Sequence, residues 1–408
     1  MTKNTGPLSN IRVLDLTRIL AGPTGTQVLG DLGADVIKIE RPNEGDDTRK
    51  WGPPFLKDKD GADTGESSYF LAANRNKRSL SIDIAAPEGQ SLIRELLAKC
   101  DVLVENFKVG GLEKYGLSYD QLRDEFPGLI YCSITGFGQT GPYAPRPGYD
   151  YLVQGIGGIM SLTGETEGEP MKVGVGISDV VCGLYSMIAI LAALHEREKS
   201  GLGQWIDMSL LDTQVAWLVN EGMNYLLSGK LPRRLGNAHP NIVPYQLFPT
   251  SNGHVIIAVG NDSQFRRFCA CAGLSACADD PRFATNPARL ENRDSLVGQI
   301  RDVTQLRSTE EWLKGLEMVG VPCAPVNDLS QVFNDQQVTS RAMRISMESP
   351  DHEGGNVELI GSPIKMSRTP VSYRRPPPRL GQHTDEILSS ELSLDENKIK
   401  KLRLSGVI

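Results

Sequence analysis

Short apolar runs alternating with helix-like patterns occupy the first 140 residues. Residues 11–16 (IRVLDL) read as a strand. The stretch RILAGPTGTQVLGDLGA follows as a helix pattern, with Pro23 in the first turn, where a missing N–H is tolerated. Residues 34–40 (ADVIKIE), 79–84, 101–105 (DVLVE) and 129–137 (LIYCSITGF) repeat the strand signal. Helix patterns open near Pro87 and cover 119–126. Such alternation predicts a parallel sheet covered by helices, with ligands beyond the carboxyl ends of its strands. Residues 179–198 predict a long helix, apolar on most sides, and a second apolar helix is expected after Asp207. Residues 245–250 and 254–259 flank Ser251-Asn252-Gly253, which predicts a hairpin with a type I′ turn. Ser308 and Glu311 predict a capping box. Residues 357–360 are strand-like, 374–379 (RRPPPR) read as an extended surface segment, and 396–402 as a last helix.

A chain of 408 residues exceeds one ordinary core, so two domains are expected, the smaller of α+β type at 228–325. The balance of 43 Lys+Arg against 50 Asp+Glu disfavours a broad nucleic-acid surface but allows a local basic pocket. The longest apolar run, 180–194, falls short of the ~20 residues of a membrane span and reads as a buried helix. The first ten residues, MTKNTGPLSN, carry no leader pattern, so a cytoplasmic protein is expected. Cys269, Cys271 and Cys277 form the only cysteine cluster. It lacks metal-ligand spacing, so reduced thiols and no metal are expected.

Glu40 lies about twenty residues after Gly22, as the acidic residue of a dinucleotide site would. The turn between them lacks the full glycine pattern, and Pro23 removes one N–H, which weighs against a nicotinamide dehydrogenase. Arg41 is placed for an anion at a strand end. Asn74-Arg75-Asn76-Lys77-Arg78 is a basic cluster, and Asn106-Phe107-Lys108 with Lys114 follows another strand. Amides, cations and an aromatic ring together suit a phosphate-bearing nucleotide. Asp179 opens the apolar helix. It reads as a helix N-cap or as a nucleophile kept ionised by the helix dipole. Signatures of serine hydrolases, zincins and phosphate-loop enzymes are missing from the sequence.

The ordered motifs VLDLTRILAGP (13–23), LGADVIKIERP (32–42), GDDTRKWGPP (45–54), NRNKRSLSIDI (74–84), DVLVENF (101–107), SITGFGQTGP (133–142), GYDYLVQGIGG (148–158), SDVVCGLYSMIAILAAL (178–194) and PPPRLGQHT (376–384) carry a resemblance. The sequence resembles the class III CoA-transferases, the CaiB/BaiF family that includes formyl-CoA transferases. Within it, the chain is similar to the succinyl-CoA:glutarate (succinate–hydroxymethylglutarate) branch.

This resemblance implies a Rossmann-like large domain from 1–227 and 326–408, the small domain at 228–325, and an interlocked homodimer. It implies an enzyme with acyl-CoA and small carboxylic acids as substrates and no permanently bound cofactor, nucleic-acid partner or membrane partner. Asp179 matches the family's nucleophile, which forms aspartyl anhydride and aspartyl-CoA thioester intermediates. The CoA positions match Leu20, Ala21, Arg41, Ile82, Asp83, Ile84, Asn106, Phe107, Lys108 and Lys114. Thr135 stands where some members carry a Lys, and Leu20 where formyl-CoA transferases carry a Gln. Tyr149 occupies the position of the catalytic His of 2-methylacyl-CoA racemases. Its reference pKa of about 10 disfavours that alternative. In GNAHPNIVPYQ (236–246), Asn237, His239 and Gln246 are expected to seat the acceptor carboxylate.

Overall fold

In the computed structural model, which describes residues 6–408, the early apolar runs form one parallel sheet. Its six strands run in the order Lys77–Ser81, Asp35–Glu40, Arg12–Asp15, Val102–Glu105, Ile130–Thr135 and Trp205–Ser209. Successive side chains point to opposite faces and both faces are covered, which is why the inner strands carry apolar residues on either side, interrupted by buried charges such as Asp15, Lys38 and Glu40. Leu14, Ile37, Leu80 and Leu103 face helix Pro87–Leu97 and the C-terminal helices Thr384–Leu392 and Glu396–Leu404. Val13, Val36, Val102 and Ile130 face helices Ala21–Asp31 and Ile177–Ser200. The leader reading of residues 1–10 concerns a stretch whose first part, 1–5, lies outside the described residues.

The sixth strand corrects the sequence reading, which places a helix directly after Asp207. The chain is extended over Trp205–Ser209 and turns helical only at Leu210–Ala216. Trp205 and Asp207 are exposed and Ile206 and Ser209 buried, so a period-2 signal was present but short. The long helix runs over Ile177–Ser200, farther than its apolar run suggests. It has the length and apolarity to cross a membrane, and half of its most apolar stretch is buried. The segment 374–379 is not a surface strap. Arg374 donates to the carbonyls of Gly30, Gly33 and Ala34, and Pro377 and Pro378 are buried.

Contacts divide the chain into two units. One holds the residues up to Gly158 with Val173–Leu218 and Gln336–Ile408; the other holds Ile159–Lys172 and Val219–Asp335. These divisions differ from 227/228 and 325/326. Residues 159–172 join the second unit because Arg234 donates to the carbonyls of Glu165 and Gly168, and Gly236 N to Gly164 O. Helix Val219–Ser228 joins it through Asn224, which bonds Asn241.

The second unit has a three-stranded antiparallel sheet, ordered Cys323–Pro325, His254–Ala258, Tyr245–Pro249. Phe248, Phe265, Phe268, Phe283 and Trp312 fill its core. Cys269 and Cys277 are buried there and Cys271 packs against it, so the cysteine cluster is apolar filling. The hairpin forms, but its turn is not type I′. Thr250–Gly253 is a four-residue loop, and neither Asn252 nor Gly253 has the positive φ that turn needs. Asn252 Oδ1 instead accepts from Thr309 N, at the start of helix Thr309–Met318, where the expected capping box of Ser308 and Glu311 is present.

Candidate active site

The carboxyl ends of the parallel strands meet at two cavities of about 380 and 320 Å³, both within the first unit. The larger is lined by Ala21, Asn106, Phe107, Lys108, Lys114, Thr135, Tyr149 and Asp179. The smaller is lined by Arg41, Ile82, Asp83 and Ile84, and Arg18, Phe107 and Tyr115 line both. Leu20 lines neither and occupies the N-cap position of helix Ala21–Asp31. Asn237, His239 and Gln246 belong to the second unit. There His239 Nδ1 accepts from Asn241 N, its ring lies 5.2 Å from Tyr245, and Gln246 pairs with Ile257 in the sheet.

The cavity walls are held by turn chemistry. Asn106 Oδ1 accepts from Arg18 N (3.0 Å) and its Nδ2 donates to Arg18 O (2.7 Å), so this amide clamps the first turn to the fourth strand. Next to it, Ile19 has a φ of 73° and donates to Asp46 Oδ1. A β-branched residue in the left-handed region is strained, and such strain gathers at ligand clamps. Glu105 accepts from Phe107 N (2.8 Å), which sets the turn through Asn106–Lys108; burial pushes its carboxyl up to about 7. Thr135 Oγ1 accepts from Gly138 N (2.9 Å). A Cβ on Gly136 would lie 2.4 Å from Gly148 Cα, so paired glycines let the segment before Tyr149 reach the cavity.

One sequence reading is corrected here, and the case against a dinucleotide site is strengthened. The basic cluster 74–78 does not face a ligand. Arg75 is paired with Asp31, Lys77 with Asp15 and Arg78 with Asp35, all three cations being buried. Burial opposes charge on Lys77 and brings it down to about 8 despite Asp15. Glu40 likewise is no ribose hook, because Arg49 and Ser79 take its carboxylate. Arg41 is exposed and pairs with Glu44, a contact worth little in water. Lys108 and Lys114 form no ion pair among the described residues, and Lys114 lies over the Tyr115 ring at 4.7 Å.

Asp179 is not the N-cap. Gly176 holds that position, and Asp179 is the third residue of its helix. The capping acceptor comes from elsewhere: Asp150 Oδ1 accepts from Ser178 N (2.7 Å) and Asp179 N (3.2 Å). Among the described residues the Asp179 side chain therefore caps nothing and forms no ion pair, and it is 8% exposed. Burial, then the charge of Asp150, push its carboxyl up to about 7. A single oxygen nucleophile, at the wall of a cavity rich in cations, suits acyl transfer.

Sequence reasoning missed Arg18, Arg146 and Tyr69. Arg18 and Arg146 line the Asp179 cavity. Tyr69 is half-buried beside Asp179 and Asp150, and burial followed by those two charges push its hydroxyl upward. Arg18 sits inside a quoted motif, whereas no local pattern around Tyr69 marks it.

Comparison with known proteins agrees with this geometry. The pattern of CoA-transferase family III, as described for that family, matches residues 8–384. A succinate–glutarate CoA-transferase of Agrobacterium fabrum is 51% identical, with 95% of this chain and 96% of that protein covered. The human succinyl-CoA:glutarate CoA-transferase is 42% identical, with 99% and 90% covered. The crystal structure of a CaiB/BaiF family protein from Brucella suis superposes with a TM-score of 0.84 at 48% identity, covering 95% of this chain and all of that one. With a parallel sheet that gathers its cavities at the strand ends, and with these relatives along its whole length, the chain belongs to CoA-transferase family III and is a CoA-transferase.

Proposed function

We propose that this enzyme moves CoA from succinyl-CoA to glutarate or a similar dicarboxylate, with Asp179 as the covalent relay. The observation that carries the reading is the Asp179 carboxyl itself: buried, uncommitted to capping and at the wall of the larger strand-end cavity. The names of the relatives from Agrobacterium fabrum and Homo sapiens support the substrate pair.

In this reading an Asp179 oxygen attacks the thioester carbonyl carbon, the C–S bond breaks, and CoA leaves as the thiolate. The thiolate then attacks the Asp179 carbonyl of the anhydride and releases the donor acid. The acceptor carboxylate attacks the aspartyl-CoA thioester and expels CoA thiolate, which then attacks the acceptor carbonyl of the new anhydride, releases the Asp179 carboxylate and forms the new acyl-CoA. Covalent capture retains the thioester's free energy, so no ATP is needed. Water must be excluded from the anhydride. The CoA phosphates are assigned to the cations of the two cavities, Arg18, Lys108 and Lys114, with Arg41 at the outer rim. Tyr149, 58% exposed, is assigned to the acyl group. A homodimer is part of the proposal; exposed Tyr151, Leu152, Ile156 and Ile188 on the first unit support a covering partner.

The test joins a variant to an acceptor screen. Asp179→Ala is expected to fold, bind CoA and lose at least about 10³-fold in transfer. Near-normal turnover would refute the relay. The wild-type enzyme, offered succinyl-CoA with glutarate, hydroxymethylglutarate, malate, itaconate or oxalate, is expected to form glutaryl-CoA fastest, read by mass. A different winner would overturn the acceptor while leaving the relay standing.

A further inference from the structure

Asp150 carries more than the helix cap. We propose that it is a positioning residue that both seats Asp179 and, as a second carboxylate with no ion-pair partner among the described residues, favours loss of charge from the nucleophile during acyl transfer. The proposal rests on the reading of Asp179 as the covalent relay.

The geometry is specific. Asp150 is the first residue of helix Asp150–Ile156. Its Oδ1 accepts from Ser178 N and Asp179 N, and its Oδ2 accepts from Gln154 Nε2 at 2.7 Å. Gln154 Oε1 in turn accepts from Val173 N (2.8 Å), which ties down the approach to the long helix. Asp150 thus takes the donors of the helix N-terminus, and Asp179 is left beside them with none on its side chain among the described residues. The other ionisable groups facing Asp179 are Tyr69, on the short helix Ser68–Leu71, and Cys182 on its own helix. Among the described residues the cations lining the same cavity, Arg18, Lys108, Lys114 and Arg146, form no ion pair with either carboxylate, and Arg18 pairs with Asp47.

Two neighbouring carboxylates without a cation resist carrying two charges at once. Acylation removes one of them. As the C–O bond forms and the C–S bond breaks, the electron pair and its charge leave on the CoA sulfur, and the anhydride at Asp179 is neutral. Repulsion from Asp150 is present before the step and gone after it, so it lowers the barrier to attack. It also makes Asp179 more basic and hence a stronger nucleophile. Direct burial of Asp179 pushes in the same direction.

Asp150→Asn keeps an oxygen acceptor for Ser178 N and Asp179 N while removing the charge. Asp150→Ser supplies a different neutral cap. For both, the acid limb of kcat/KM is expected to move down by about one pH unit, with kcat at pH 8.5 reduced several-fold and KM for succinyl-CoA within about twofold. An acid limb unmoved in both variants would overturn the proposal and leave Asp150 a cap alone. The unsubstituted enzyme gives a readout independent of variant folding. Infrared difference spectra against Asp179→Asn, which lacks that carboxyl, are expected to show Asp179 titrating near pH 7, and titration below pH 5 would overturn the proposal. Turnover surviving in Asp179→Ala would instead strike the relay reading on which it rests.

Discussion

Gly183 sits in the middle of the long helix, where alanine would ordinarily be the better residue. A Cβ there would lie 2.3 Å from Ala21 O and 3.2 Å from Gly25 N. The first distance is about 1 Å short of van der Waals contact, and a backbone carbonyl cannot rotate away. Helices Ala21–Asp31 and Ile177–Ser200 must therefore separate in Gly183→Ala. Overpacking of this kind costs about 1–3 kcal/mol, offset by about 1 kcal/mol of helix propensity, so a net loss of about 1–2 kcal/mol is expected. The functional effect is larger. Ala21 and Asp179 line one cavity from these two helices, and Asp179 lies one turn before Gly183. A displacement near 1 Å costs about 10²-fold in kcat. Urea unfolding reads the first quantity, and steady-state transfer from saturating succinyl-CoA the second. Gly298→Ala is the control. It lies in helix Arg293–Thr304 with no atom within 4 Å of its Cβ position, and should stabilise by about 0.5–1 kcal/mol. A Gly183→Ala protein as stable and as active as wild type would refute the close-packing argument.

Asn106→Ala leaves both the N–H and the carbonyl of Arg18 without their partner. At about 0.5–1.5 kcal/mol per bond, KM for succinyl-CoA should rise about tenfold with kcat changed much less, and an unchanged KM would remove the clamp from the binding site. Asp46 supplies a pH test of stability. Burial opposes its charge, but the Lys38 ammonium at 2.9 Å and the Thr48 donors hold it at about 2. Its folded value lies below its unfolded one, so its contribution is full above about pH 4 and is lost as pH falls toward 2. The shift corresponds to about 2 kcal/mol. The stability gap between wild type and Asp46→Asn should shrink over that window in urea titrations, and a gap independent of pH would refute the assignment.

Periodicity made the parallel sheet legible because its inner strands carry apolar residues on both faces, and a short alternating edge such as Trp205–Ser209 escaped it. The order of motifs led to the family, and Asp179 was singled out by its place before an apolar helix. Its place as the helix cap is not what the structure shows. An Asp at a helix start usually caps it, and here the cap comes from Asp150, 29 residues away along the chain. The basic run 74–78 was likewise misread as ligand-facing. Its acidic partners, Asp31, Asp15 and Asp35, lie on other strands and helices. The sequence by itself determined five strands of the sheet and the long helix, since burial of a face leaves a repeating mark on neighbouring residues, and its ordered motifs carried the family resemblance that pointed to Asp179. Only the tertiary structure decided which carboxylate takes the helix donors, which charges are neutralised and which cations face the cavity. Hydrogen bonds and Coulomb forces depend on separation in space, and separation along the chain carries no record of it.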